Sequence, residues 1–73
     1  MTRYGVPRDI LTRRENEIVK LIAEGKSNKE MSRQLELSIK TVESHRASAM
    51  RKLNLSSTAE LVRFAVRNHI VEA

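Results

Sequence analysis

The chain has 73 residues, enough for one domain and near the lower end of what folds unaided. It has no cysteine, which excludes disulfides and thiolate metal ligands, and neither His45 nor His69 has an acidic cluster beside it to build a metal site. Fourteen Lys and Arg against nine Asp and Glu give a net charge of +5 and a pI near 10.3, which favours a polyanionic partner.

No stretch approaches the run of about 20 apolar residues that crosses a bilayer. The N-terminus, MTRYGVPRDI, lacks the apolar middle of a secretory signal, so a cytoplasmic protein is expected. Residues 1–10 hold Gly5 and Pro7 without helical period and read as a flexible arm or the end of a linker. Arg3 and Arg8 could touch phosphates from there. A helix-forming domain is expected over 11–73.

Thr12 and Glu15 are spaced as a capping box, and Leu11 is placed for a hydrophobic staple. Ile18, Val19, Leu21, Ile22 and Ala23 follow as an apolar stripe up to Gly25, which predicts a core helix over 13–24. Ser27 and Glu30 repeat the box and predict a second helix over 28–35, with Met31 and Leu35 inward. Asn28 and Lys29 fall in its exposed first turn, where a positively biased helix end and a cation can hold a phosphate. An ordinary cap accounts for Ser27 equally well.

Ser38 is the expected N-cap of a third helix over 39–53. At about 100° per residue, Val42, Ala49 and Leu53 share one side, flanked by Met50 and the stem of Arg46. Lys40, Glu43, Ser44, Ala47, Ser48 and Arg51 share the other. That second face is short, polar and cationic, as a helix lying in a duplex groove requires. A core helix with a solvated face fits the same pattern. The short preceding helix, the turn Glu36-Leu37-Ser38 and this helix describe a helix-turn-helix, with Leu37 plugging the corner. Asn54 is a tolerable left-handed end. Ser57 and Glu60 form a third box before a fourth helix over 58–68. Leu61, Val62, Phe64, Ala65 and Val66 give that helix more apolar surface than one stripe needs, from a partner surface or from core on both sides.

These boxes, together with the run Thr41-Val42-Glu43-Ser44-His45, carry a resemblance over Leu11 to Val66. The segments LTRRENEIVKLIAEG, SNKEMSRQLELSIKTVESHRASAMRKLNL and SSTAELVRFAV resemble the LuxR-type DNA-binding domain, the effector half of many bacterial response and quorum-sensing regulators. TVESHRASAMRKL looks closest to the branch that includes the nitrogen-fixation regulator FixJ. The resemblance implies an all-α, four-helix domain that puts its third helix in the major groove of double-stranded DNA and forms a homodimer through its fourth.

Carried onto this chain, the resemblance implies base contacts from Glu43, Ser44 and Ala47. It implies backbone contacts from Lys29, Lys40, Thr41, Arg46, Ser48 and Lys52, to which the start of the second helix adds Ser27 and Asn28, and the apolar surplus of the fourth helix puts the expected dimer contacts on Leu61, Val62 and Ala65. RNA polymerase is a further partner the family suggests. No cofactor and no membrane contact are expected. Where several relatives carry lysine, this chain has Glu43 and Ala47. Glu43 can accept from cytosine N4 and Ala47 can touch a thymine methyl, weaker discriminators than an arginine on guanine. DNA shape or dimer spacing then has more to do.

Catalysis is not expected, because His45 has no nucleophile or second acid set beside it. Asp9 lies in the arm and is not placed as a phosphoacceptor. Three rival readings remain. A sigma-factor region-4-like domain is disfavoured by the fourth helix, and a protein-interaction module by the cations at Lys29, Lys40, Arg46 and Lys52. A membrane-surface helix is disfavoured because the basic residues are shared among four capped helices.

Overall fold

Thr12 and Glu15 close a reciprocal cap. The Thr12 amide donates to Glu15 Oε1 at 2.9 Å and the Glu15 amide to Thr12 Oγ1 at 3.1 Å. From that cap runs α1, Arg13–Ala23. In this computed structural model, which describes residues 10–68, it is followed by α2 (Asn28–Leu35), α3 (Ile39–Lys52) and α4 (Thr58–Arg67). The chain is all-α. Arg3, Arg8, Asp9 and His69 lie outside the described residues.

The first three helices end in the same way. Lys26, Leu37 and Leu55 donate backbone N–H groups back to Leu21, Ser32 and Met50, at 3.0, 3.0 and 2.9 Å. Each bond spans six residues, the longer one of a Schellman motif. The residue before each donor is left-handed: Gly25 at φ 94°, Glu36 at 57° and Asn54 at 59°. Glycine takes this conformation freely, and asparagine tolerates it. Glu36 is the unexpected member, a glutamate where the turn was read as a plain link. What holds it there is Leu37, packed against the core, and the Ser32 hydroxyl, which donates to the Leu37 carbonyl at 2.6 Å.

The third capping box is only half formed. Ser57 Oγ accepts from the Glu60 amide at 3.1 Å as expected, but the Glu60 carboxylate turns to Ser56. The Ser56 amide and hydroxyl both donate to Glu60 Oε1, at 2.7 and 2.9 Å.

α1 packs on α3 and α4, and α2 packs on α3. Ile18, Val19, Met31, Val42 and Leu61 are fully buried where these helices meet, and Leu11, Leu21 and Ile22 close the core around α1. Each such side chain contributes about 1.5–3 kcal/mol by leaving water. Ala49 and Ala65 are also fully buried, and their small size lets α3 and α4 approach α1 closely. The core thereby fixes the α2–turn–α3 angle and turns one side of α3 outward.

Candidate nucleic-acid interface

Along α3, Lys40, Glu43, Ser44, Ala47 and Arg51 are exposed, while Val42 and Ala49 are buried. Ile39, at the start of the helix, is 44% exposed, so this surface carries one bulky aliphatic side chain that the helical wheel of the sequence omitted. The Ser38 hydroxyl accepts from the Thr41 amide at 3.0 Å and donates to Thr41 Oγ1 at 2.9 Å. That leaves the Thr41 hydroxyl hydrogen to donate outward.

The first turns of α1, α2 and α4 each carry a glutamate, Glu15, Glu30 and Glu60, whereas α3 carries none. Hydrogen bonds from Ser27, the backbone amide first, hold the Glu30 carboxyl below its ordinary range. The Ser56 amide and hydroxyl do the same for Glu60. Among the four described helices, α3 alone therefore presents an uncompensated positive helix end, beside Lys40 and Thr41. On α2, Ser27 Oγ accepts from the Glu30 amide at 3.1 Å, Lys29 is exposed and Asn28 is half-buried.

Arg46 and Lys52, both expected on the DNA backbone, are engaged inside the domain. Arg46, half-buried, donates from Nη1 to Asn28 Oδ1 at 3.0 Å and from Nη2 to Thr58 Oγ1. Lys52 Nζ donates to Glu15 Oε1 at 2.9 Å, and the Glu15 side chain is only 4% exposed. Burial by itself raises the Glu15 carboxyl. Hydrogen bonds from Ser48, Lys52 and the Thr12 amide, with the charge of Lys52, outweigh it and bring the pKa down to about 2. Ser48 is half-buried accordingly, and it also accepts from Arg51 Nη2 at 3.5 Å.

The Glu15–Lys52 pair was missed in the sequence, where Glu15 was read as a cap alone. Its signal was there. Residues 15, 18, 19 and 22 are one helical stripe, so a carboxylate inside an apolar row calls for a buried cation.

On α4, Leu61 and Ala65 are fully buried, so they belong to the core and cannot face a partner in the folded chain. Val62 and Val66 are half-buried and Ala59 is exposed, and these three share one flank of α4. His45 is half-buried. Among the described residues, no three His, Cys, Asp or Glu side chains gather as a metal site, and no helix is long and apolar enough to cross a membrane.

A short helix, a tight turn and a second helix with a short, cationic outer face define a helix-turn-helix of the DNA-binding kind. Residues 9–65 match the family described as "Bacterial regulatory proteins, luxR family", and the chain belongs to that family of DNA-binding transcription regulators. It is 54% identical over 57 residues to the uncharacterized response regulatory protein YgeK of Escherichia coli K12, covering 78% of this chain and 39% of that protein. The oxygen regulatory protein NreC of Staphylococcus carnosus is 47% identical over 66 residues, 90% of this chain and 30% of NreC. The transcriptional regulatory protein LiaR of Bacillus subtilis is 46% identical over 67 residues, 92% of this chain and 32% of LiaR. The chain thus spans about a third of the length of these curated relatives.

Proposed function

We propose that this chain binds double-stranded DNA with sequence preference, as the effector part of a cytoplasmic response regulator, with α3 in the major groove. The observation that carries this reading is the exposed row Lys40, Glu43, Ser44, Ala47 and Arg51, short residues between cations on a helix whose other side is core. Glu43, Ser44 and Ala47 are the base-reading positions. Lys40, Thr41 and the free N-terminus of α3 hold one phosphate, and Ser27, Asn28 and Lys29 at the start of α2 hold another. Counterions released from those phosphates supply most of the affinity, and the base edges supply the choice of site.

Two copies bind two half-sites by pairing along α4, through the flank that carries Ala59, Val62 and Val66. With Ala59 exposed and Val62 and Val66 half-buried in the monomer, that flank gains burial on association. Contact with RNA polymerase, if this regulator activates transcription, rests on the family alone.

The test is selection from a randomised duplex pool at two salt concentrations, followed by sequencing. A motif with two related half-sites and a steep salt slope is the expected result. Salt-sensitive binding without a motif would remove the base-reading role of α3. No binding at low salt would overturn the DNA reading in favour of a protein-interaction module.

A further inference from the structure

Arg46 stands on the flank of α3 and uses both terminal nitrogens inside the chain: Nη1 on Asn28 in the first turn of α2, Nη2 on Thr58, the first residue of α4. α2 and α4 are not among the helix pairs that pack closely on one another. One side chain therefore ties together α2, which packs closely on α3, and α4, which packs closely on α1. A guanidinium suits this position because its donors form a rigid planar fork, which fixes both partners at once. A lysine ammonium is a single flexible point and cannot reproduce the fork.

The bond also decides how Asn28 presents itself. With Oδ1 accepting from Arg46, the amide group left over is Nδ2, a donor of two hydrogens with no partner among the described residues. An outward donor in the first turn of α2 is what a phosphate requires. If Oδ1 were free to face outward instead, a lone pair would meet the phosphate and repel it.

We propose that Arg46 is a positioning residue that couples the start of α4 to the phosphate-facing start of α2, and not itself a phosphate contact. This rests on the DNA-binding reading above. Movement of α4, the helix through which two chains pair, is passed by way of Thr58 and Arg46 to the orientation of the Asn28 amide. Dimerisation and phosphate grip are thereby linked through one side chain. Both partners of the guanidinium are neutral, so its charge stays uncompensated and still adds to the field of the binding face.

The discriminating variants are Arg46→Lys, which keeps the charge and loses the fork, and Thr58→Val, which removes a hydroxyl without touching charge or the Ser57 cap. Binding is followed by fluorescence anisotropy over a range of salt, on a 30-base-pair duplex (roughly three helical turns) selected by the wild-type chain from a random pool. Each variant should bind about three- to tenfold more weakly, the scale of one hydrogen bond, with the salt slope unchanged. The double variant should be no weaker than Arg46→Lys alone. If both single variants bind as the wild type does, while Arg46→Ala lowers the slope by about 0.9, Arg46 is a phosphate contact and the proposal fails.

The free chain gives a second readout. In ¹⁵N spectra the Asn28 side-chain amide should shift in Thr58→Val, because both side chains accept from the one guanidinium of Arg46. An unmoved Asn28 signal would also reject the coupling. A wild-type chain that binds no duplex would sink the DNA reading instead, while the Asn28 signal still decides whether the bridge exists.

Discussion

Lys52, the last residue of α3, reaches Glu15 in the first turn of α1 at 2.9 Å, across 37 positions of sequence. The oxygen it meets, Oε1, also accepts from the Thr12 amide. One carboxylate oxygen thus caps α1 and anchors the far end of α3, so the helix that faces outward is pinned to the core by a charge pair as well as by Val42 and Ala49. Glu15→Gln keeps an acceptor for the Thr12 amide but removes the charge, and it should cost about 1–3 kcal/mol in urea unfolding. The folded carboxyl titrates near 2 against an ordinary value of 4.5, so between those values the unfolded chain binds more protons. The stabilisation is therefore complete above the ordinary value and is lost as pH falls toward 2. Urea midpoints measured from about pH 6 down to about pH 2.5 should fall more steeply for the wild type than for Glu15→Gln. Parallel curves would mean that Glu15 is not held in this way.

Lys52→Met tests the other partner. It strands a nearly buried carboxylate, which should cost about 2–4 kcal/mol, with Thr12 and Ser48 softening the usual penalty for breaking a buried pair. Lys52 was expected on the DNA backbone, and a direct phosphate contact would take about 0.9 from the salt slope when removed. Since its charge is already balanced by Glu15, the slope on random duplex should change by well under half of that. A full drop would return Lys52 to the backbone contacts.

The helices were legible in the sequence because their signals are local. Thr12, Ser27, Ser38 and Ser57 each cap a helix, and each of the four hydroxyls accepts from the amide three residues on. The outward face of α3 was legible from period alone. What escaped were relationships that local spacing does not encode. Glu15 has a local role in the Thr12 cap, and although its place in the apolar row of α1 asks for a cation, nothing in α1 by itself says that Lys52 supplies it. Arg46 has a flank position compatible with a phosphate or with two neighbouring helices. Leu61 and Ala65 were read as surface because α4 is apolar on more than one side, and a wheel shows which residues share a face without showing which face meets α1. The turn at Glu36 was missed for a physical reason: a left-handed glutamate is disfavoured locally and is sustained by the burial of Leu37.

That strain gives a prediction about stability without a change of fold. A non-glycine residue in the left-handed region costs about 1–2 kcal/mol, less for asparagine. Glu36→Gly should therefore raise stability by about 0.5–1 kcal/mol after the extra chain entropy of glycine is counted, and Asn54→Gly by a few tenths at most. Urea midpoints of the two variants should keep this order. A loss of stability at Glu36→Gly would show that its side chain makes a contact worth more than the strain.

Glu43 and Ser44 are the exposed residues at the centre of the proposed base-reading row. Substituting Ser44→Ala or Glu43→Gln should change preference at the base pair each reads by about 1–3 kcal/mol, leaving affinity for random duplex nearly the same for Ser44→Ala. Selection from a random pool reads this directly. A motif identical to that of the wild type in both variants would take specificity away from these positions and give it to DNA shape.

Core and surface lie side by side on α4. Leu61 is fully buried and Val62 half-buried, one residue apart and about 100° around the same helix. An aspartate at 61 places an unpaired charge where α1 meets α4, so Leu61→Asp should unfold the chain, losing more than about 3 kcal/mol. Val62→Asp puts the same charge at the rim, where water can reach it. It should leave the circular-dichroism spectrum and melting cooperativity intact while shifting the monomer–dimer equilibrium on a two-half-site duplex toward the monomer. Sedimentation velocity of the protein–DNA mixture distinguishes one bound chain from two. Undiminished two-chain occupancy by a folded Val62→Asp would mean that the pair forms along some other surface, and the flank of Ala59, Val62 and Val66 would have to be given up as the dimer contact.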